Sequence, residues 1–266
     1  MNETATPRPE SLRPLWHVGR ARMLFAGCLG RNAPHSHSTS VLLAGIYDRF
    51  DLKVGAAGWL RCRTAVIRAG VPYEFDAGGR PFAVIYIEPN ATSAEGLVAL
   101  ISETREVSGA IVGEDGELSV IRALYEDAQS ADWAGLAIED LVGFARRKAR
   151  RTTDLRVAYT INSLTSKTTI EVDSWSSNLP RVRLAALAVG LSTSRFQHVF
   201  KNEVGVSYRR YLAWLRMRAA IRDVVEGSTL AMAAHGAGYC DQPHFAREFR
   251  RIFGAPASRS LLRVRG

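Results

Sequence analysis

GLSTSRFQHVFKNEVG at residues 190–205 has an echo in GYCDQPHFAREFRRIFG at residues 238–254. Phe196, Phe200 and Gly205 of the first stretch return as Phe245, Phe249 and Gly254 of the second, each 49 residues further on. Phe at i and i+4 places two rings on one face of a helix, and such a face belongs in a core. A glycine shortly after the second ring suits a left-handed helix end. The chain is predicted to build one short helix twice and to stop it the same way twice.

The residues upstream of each copy complete a helix-turn-helix. Ala185, Ala186 and Val189 lie on the first helix of the first copy, Gly190 takes the turn, and Leu191 fills the angle between the helices. Phe196 and Val199 then face inward, and Ser192 is placed to cap the second helix. The second copy offers Ala233, Ala234, Ala237, Gly238, Tyr239, Phe245 and Phe249. Its turn is one residue longer, with Asp241 as the cap and Pro243 in the first helical turn, where no N–H is missed.

If the Phe faces are buried, the opposite faces meet solvent. The first presents Ser194, Arg195, Gln197, His198 and Lys201; the second presents Gln242, His244, Arg247, Arg250 and Arg251. Gln can address adenine and Arg guanine through major-groove edges, and the remaining cations suit phosphate. The alternative is a merely solvated face. Charge favours nucleic acid: residues 181–266 hold 15 Lys and Arg against 5 Asp and Glu, whereas the whole chain of 266 residues carries a net charge of +9. Between the copies, SYRRYLAWLRMRAAIRDVVEGS reads as a helix capped by Ser207 and ended at Gly227. At roughly 19 residues and about 28 Å, it would hold two readers near the ~34 Å repeat of B-DNA.

These residues resemble the AraC/XylS family of transcription regulators from about Asp154 to Ser260. The resemblance implies a seven-helix DNA-binding unit with two helix-turn-helix motifs. It implies base contacts from Ser194, Gln197 and His198 in the first reader and from Gln242, Pro243 and Arg247 in the second. Pro243 has no donor, so its contact would be apolar. Phosphate contacts fall to Arg195, Lys201, His244, Arg250 and Arg251. The partner is double-stranded DNA, with RNA polymerase added if the protein activates.

Residues 16–90 read as short strands, including VLLAGIYDRF, WLRCRTAVIRAG and RPFAVIYIEPN, which suggests a small barrel or sandwich. APHSHSTSVLLAG and VIRAGVPYEFDAGG are similar to the cupin-like sensor domain of many such regulators. A metal-binding cupin would add a Glu and a further His to His35 and His37. The Glu is missing and Tyr73 stands where the His often follows Val-Pro, so neither metal nor other cofactor is expected. His35 and His37 are then either polar strand-end residues or, with Trp59, Tyr73 and Tyr86, the lining of an effector pocket.

Residues 93–107 and 117–151 read as helices, and the basic run FARRKARR at 144–151 as a solvated helix end. The expected architecture is α+β with two domains. A disordered tail spans 1–15, a cupin-like sensor domain 16–90, a helical dimerisation or linker region 91–152, and the DNA-binding domain 153–266. TIEVDSWSSNLP at 169–180 reads as a polar connection. Cys28, Cys62 and Cys240 lack CxxC spacing and are expected to be buried, inert thiols in a reducing cytoplasm. No signal peptide or membrane span is read. The expected function is a sequence-specific regulator, not an enzyme, controlled by a small molecule or by contacts within a homodimer. The alternative is a cupin-type metalloenzyme with an appended DNA-binding unit.

Overall fold

The computed structural model describes residues 12–148, 153–166, 178–262 and 264. Its N-terminal half is built on a nine-stranded sheet. The central path joins β1 (Leu15–Val18), β2 (Arg22–His35), β7 (Tyr73–Ile87), β3 (Ser40–Gly45), β6 (Thr64–Ile67), β10 (Ala110–Gly113) and β9 (Arg105–Val107) in that order. β4 (Phe50–Val54) pairs with β7 and with β5 (Leu60–Cys62), and all pairs are antiparallel. β8 (Ile101–Ser102) and β11 (Asp115–Gly116) form a separate small ladder. The path has β1 and β9 at its two ends, so the expected cupin-like barrel is not closed.

The strands read as continuous apolar runs because both faces of the sheet are covered. On one face Leu24, Leu42, Ala83 and Ile85 pack with residues of α1 (Ala94–Val98), α2 (Ser119–Glu126) and α3 (Ala131–Lys148). On the other, Phe25, Leu43, Val84 and Tyr86 share a core with the C-terminal helices. Helices supply on both sides the cover that a barrel obtains by closing on itself.

Three expectations are corrected here. Residues 93–107 are helical only over Ala94–Val98. Ser108 at φ 49° and Gly109 at φ 86° form a two-residue turn that pairs Val107 with Ala110, so this part of 91–152 returns to the sheet as a hairpin. The tail read at 1–15 ends sooner, since Leu15 is buried in β1. Of the three cysteines only Cys62 is buried, with its thiol pushed up to about 12 by desolvation, whereas Cys28 and Cys240 are exposed.

The C-terminal region contains α4 (Leu155–Ser166), α5 (Asn178–Ala188), α6 (Thr193–Val204), α7 (Tyr208–Val225), α8 (Leu230–Gly236) and α9 (Gln242–Phe253). A 3₁₀ turn follows at Ala257–Arg259. Seven helices were expected; among the described residues there are these six α-helices and the turn. The connection read at 169–180 lies outside the described residues except for 178–180, which open α5. Within the basic run, Arg146 and Arg147 are exposed, and its last residues also lie outside the description. No described helix is long and apolar enough to cross a membrane.

Candidate nucleic-acid interface

Both predicted helix-turn-helix units form, and they close their turns by the same backbone bonds. The Leu191 N–H donates to the Ala186 carbonyl at 2.9 Å, and the Tyr239 N–H donates to the Ala234 carbonyl at 2.9 Å. Gly190 at φ 67° and Gly238 at φ 74° supply the left-handed residue each turn requires. Ser192 Oγ accepts from the Arg195 N–H at 3.3 Å to start α6, and Asp241 Oδ1 accepts from the His244 N–H at 2.6 Å to start α9. The extra residue of the second copy therefore falls between an identical turn and an equivalent cap.

Both Phe pairs are buried. Phe196 and Phe200 lie 5.7 Å apart, each met edge-on by Tyr208 of α7 at 5.2 Å; Phe245 and Phe249 lie 5.9 Å apart. Arg216 of α7 stacks its guanidinium 3.9 Å from the centre of the Tyr239 ring and donates to the Ala237 carbonyl at 2.8 Å. α7 is thus bonded to the turn of the second motif and packed on the reader of the first. Its 18 residues span about 27 Å.

Opposite these cores, Ser194, Arg195, Gln197, His198 and Lys201 are exposed on α6, and Gln242, Pro243, Arg247, Arg250 and Arg251 on α9. His244 is only half-buried and sits edge-on to Tyr239 at 5.3 Å. Arg251 is held by Glu248 at 2.6 Å, whereas Arg247 and Arg250 make no ion pair among the described residues. His198 Nε2 lies 3.1 Å from Asn202 Nδ2 one turn along α6.

Residues 185–262 match the family model described as a helix-turn-helix domain, which is of the AraC type. The whole chain is also similar in fold to ToxT from Vibrio cholerae. The unsaturated-fatty-acid-bound form aligns with TM-score 0.58 at 9% identity over 92% of this chain and 96% of that one. ToxT of strain O395 aligns with TM-score 0.55 at 11% identity over 91% and 98%. The same values hold for its complex with (E)-4-(8-methylnaphthalen-1-yl)but-3-enoic acid. No curated protein matches the sequence.

At residues 185–262 the chain carries a helix-turn-helix domain.

In this chain the two halves share a buried interface that sequence reasoning missed. Glu88, at the end of β7, is 2% exposed and accepts from Tyr211 Oη at 2.6 Å, Trp214 Nε1 at 2.9 Å and Arg218 Nη1 at 3.1 Å, all on α7. Arg218 also donates to the carbonyls of Gly19 and Arg20. Arg210, in the first turn of α7, donates to the Ser36 carbonyl at 2.7 Å. The N-terminal half therefore holds the spacer by bonds to residues 210–218.

The sheet also grips the C-terminal end of each reader. A Cβ on Gly205 would stand 2.7 Å from the Ala69 carbonyl oxygen, and one on Gly254 would stand 2.3 Å from the Ala33 carbonyl oxygen. Asn32 donates to the Phe253 carbonyl at 2.7 Å, and the Ala33 N–H donates to the Gly254 carbonyl at 2.8 Å. The repeated glycine that opens the sequence argument is thus both a helix end and a docking point for backbone. Sequence spacing revealed the first role; nothing in it pointed to the second.

Four of the five pocket residues read from sequence come together at this interface. His35, His37, Tyr73 and Tyr86 line a cavity of about 30 Å³, closed on the helical side by Phe249 and Phe253. His35 lies 4.4 Å from the Tyr73 ring, and His37 lies 5.0 Å from Tyr86 and 5.6 Å from Phe253. Trp59 is not there: it is 46% exposed, with the Arg31 guanidinium 5.2 Å over its ring. Burial lowers His35 to about 4, against a smaller opposing effect of its bond to the Ala33 carbonyl, and drives His37 well below its ordinary range. Buried Asn32 Oδ1, His37 Nδ1 and Tyr73 Oη have no partner among the described residues. The space suits one or two waters bridging these atoms. Among the described residues no three His, Cys, Asp or Glu side chains gather as metal ligands.

Proposed function

We propose that this DNA-binding transcriptional regulator reads a specific operator with both helices at once. The reading is carried by one observation. Two capped helices in tandem each bury a Phe pair and expose polar and cationic side chains on the other side. Ser194, Gln197 and His198 of α6 and Gln242, Pro243 and Arg247 of α9 would face bases. Arg195, Lys201, Arg250 and Arg251, with His244 at the edge, would meet phosphates. Arg247 is the strongest candidate for a guanine contact, because a guanidinium without an internal partner can make both bonds to the O6 and N7 edge.

The N-terminal half would set the readers' presentation. The N-terminal half bonds to the spacer and to the end of α9 and packs closely on the end of α6, so a change at the interface reaches both readers. A small molecule that widens the water-sized cavity beside His35, His37, Tyr73 and Tyr86, or contacts in a homodimer through α2 and α3, would act by favouring one arrangement over another. The ligand-bound ToxT structures have the same fold and make a small-molecule effector a reasonable class. The role is cytoplasmic and non-enzymatic, with RNA polymerase as a further partner if regulation is positive.

The test is Arg247→Ala in the full chain, assayed on DNA selected by the protein from random sequence. It should weaken specific binding by about 1–3 kcal/mol and relax preference at one base pair. Equal losses on selected and random DNA would refute the base-reading role.

A further inference from the structure

A second, polar cleft of about 420 Å³ opens between the sheet and the C-terminal end of α6. It shares no lining residue with the cavity beside His37. Its volume falls within the range of roughly 300–1,000 Å³ common to small-molecule sites. Strand ends of the sheet and the N-terminal end of α1 form one side, and Thr153 and residues 202–205 form the other.

The chemistry of the lining selects a ligand class. Thr92 is 6% exposed, and its Oγ1 is buried without a hydrogen-bond partner among the described residues. Leaving such a group unpaired in the folded protein is unfavourable, and a ligand supplying a donor or acceptor recovers that loss. Arg68 is already held by Glu95 at 3.8 Å and by Glu106 at 3.4 Å, and the carboxylates of Glu95 and Glu203 also line the space. An anion would meet two carboxylates and a cation already paired. Ala69, Val71 and Val204 provide apolar wall between the polar groups. A carbon skeleton bearing hydroxyls matches both, since each hydroxyl donates and accepts.

The cleft also touches the first reader. Asn202 lines it, and the Asn202 amide nitrogen lies 3.1 Å from Nε2 of His198, a residue placed on the base-facing side. Gly205, pressed on the Ala69 carbonyl, lines it as well. We propose that this cleft binds a compact, uncharged, hydroxyl-rich molecule, and that α6 senses its occupancy through Asn202. The sensing half of the proposal rests on α6 reading DNA; the binding half does not.

The test uses the full-length chain with erythritol, xylitol and inositol as probes and gluconate as the anionic control. Side-chain NMR follows the Asn202 amide and the His198 ring. At least one polyol should move both signals and outcompete gluconate. Thr92→Val, which keeps the shape and removes the hydroxyl, should weaken that polyol at least fivefold. An Asn202 amide unmoved by all three polyols, tighter binding of gluconate, or full affinity in Thr92→Val would overturn the site. For the coupling, the bound polyol should change affinity for selected DNA in the wild type and not in Asn202→Ala. A polyol that binds yet leaves DNA affinity unaltered refutes it. Failure of the ligand-free protein to bind any DNA would strike the reader assignment instead, while leaving the polyol titration to decide the cleft.

Discussion

Glu88→Ala is the perturbation whose outcome tests the interface most directly. The carboxylate is 2% exposed and accepts three hydrogen bonds from α7, one of them from a guanidinium that is itself only 11% exposed. Truncation leaves a buried cation and two buried donors facing a void. Removing one partner of a buried pair costs about 3–5 kcal/mol, much of it from the charge left behind. Domains of this kind have total stabilities of roughly 5–15 kcal/mol, so a large fraction of the margin is lost. Urea unfolding followed by tryptophan emission measures this, because Trp16 and Trp214 are both buried at the interface and Trp214 bonds to Glu88 itself. Two further variants separate the pair from packing. Glu88→Gln keeps the shape and one acceptor and should lose less than Glu88→Ala. Glu88→Leu combined with Arg218→Met removes both charges and should recover at least half of the alanine loss. A cost below about 1 kcal/mol for Glu88→Ala, or a double variant no better than the single, would refute the view that this ion pair joins sheet to spacer.

His35 is lowered from 6.5 to about 4, so the folded protein binds its proton less readily than the unfolded chain. Its contribution is whole above pH 6.5 and is lost as pH falls towards 4, about 3 kcal/mol in all; His35→Gln should flatten that part of the stability–pH curve, and an unchanged curve would count against it. Gly254→Ala and Gly190→Ala both force a side chain into the left-handed region, at about 1–2 kcal/mol, but only Gly254 has a backbone oxygen 2.3 Å from the added carbon. Gly254→Ala should therefore be the more destabilising in chemical denaturation, by more than about 1 kcal/mol; equal losses would show that the docking of Gly254 on Ala33 contributes little. Arg250→Ala should weaken selected and random DNA alike and reduce the salt dependence by about one phosphate contact, as measured by titration across ionic strength.

Much of the helical half was legible because its signals are local. Phe at i and i+4, a capping Ser192 or Asp241, and glycines at 190, 205, 238 and 254 each act within one or two helical turns, so spacing along the chain is spacing in space. The sheet was harder. Val41–Leu42–Leu43 and Val84–Ile85–Tyr86 announce buried strands, but a continuous apolar run does not say whether a barrel interior or helices cover the second face. The strand at 105–107 was read as the end of a helix because the deciding feature is the Ser108–Gly109 turn just beyond it, two residues within an otherwise ambiguous stretch. Of the pocket residues, His35, His37, Tyr73 and Tyr86 line one cavity, while Trp59 falls on the outer surface beside Arg31.

Spacing along the chain was enough to show that two helix-turn-helix units exist, where their second helices begin and stop, and which faces carry the polar and basic residues. Hydrogen-bonding range and helical period require no distant partner for any of that. Only the tertiary structure decided that Glu88 meets Arg218, that Asn32 and Ala33 hold the end of α9, and that Gly205 rests on Ala69. Those pairings join residues more than a hundred positions apart. Their partners are chosen by how two surfaces pack, and no periodicity in either segment records that choice.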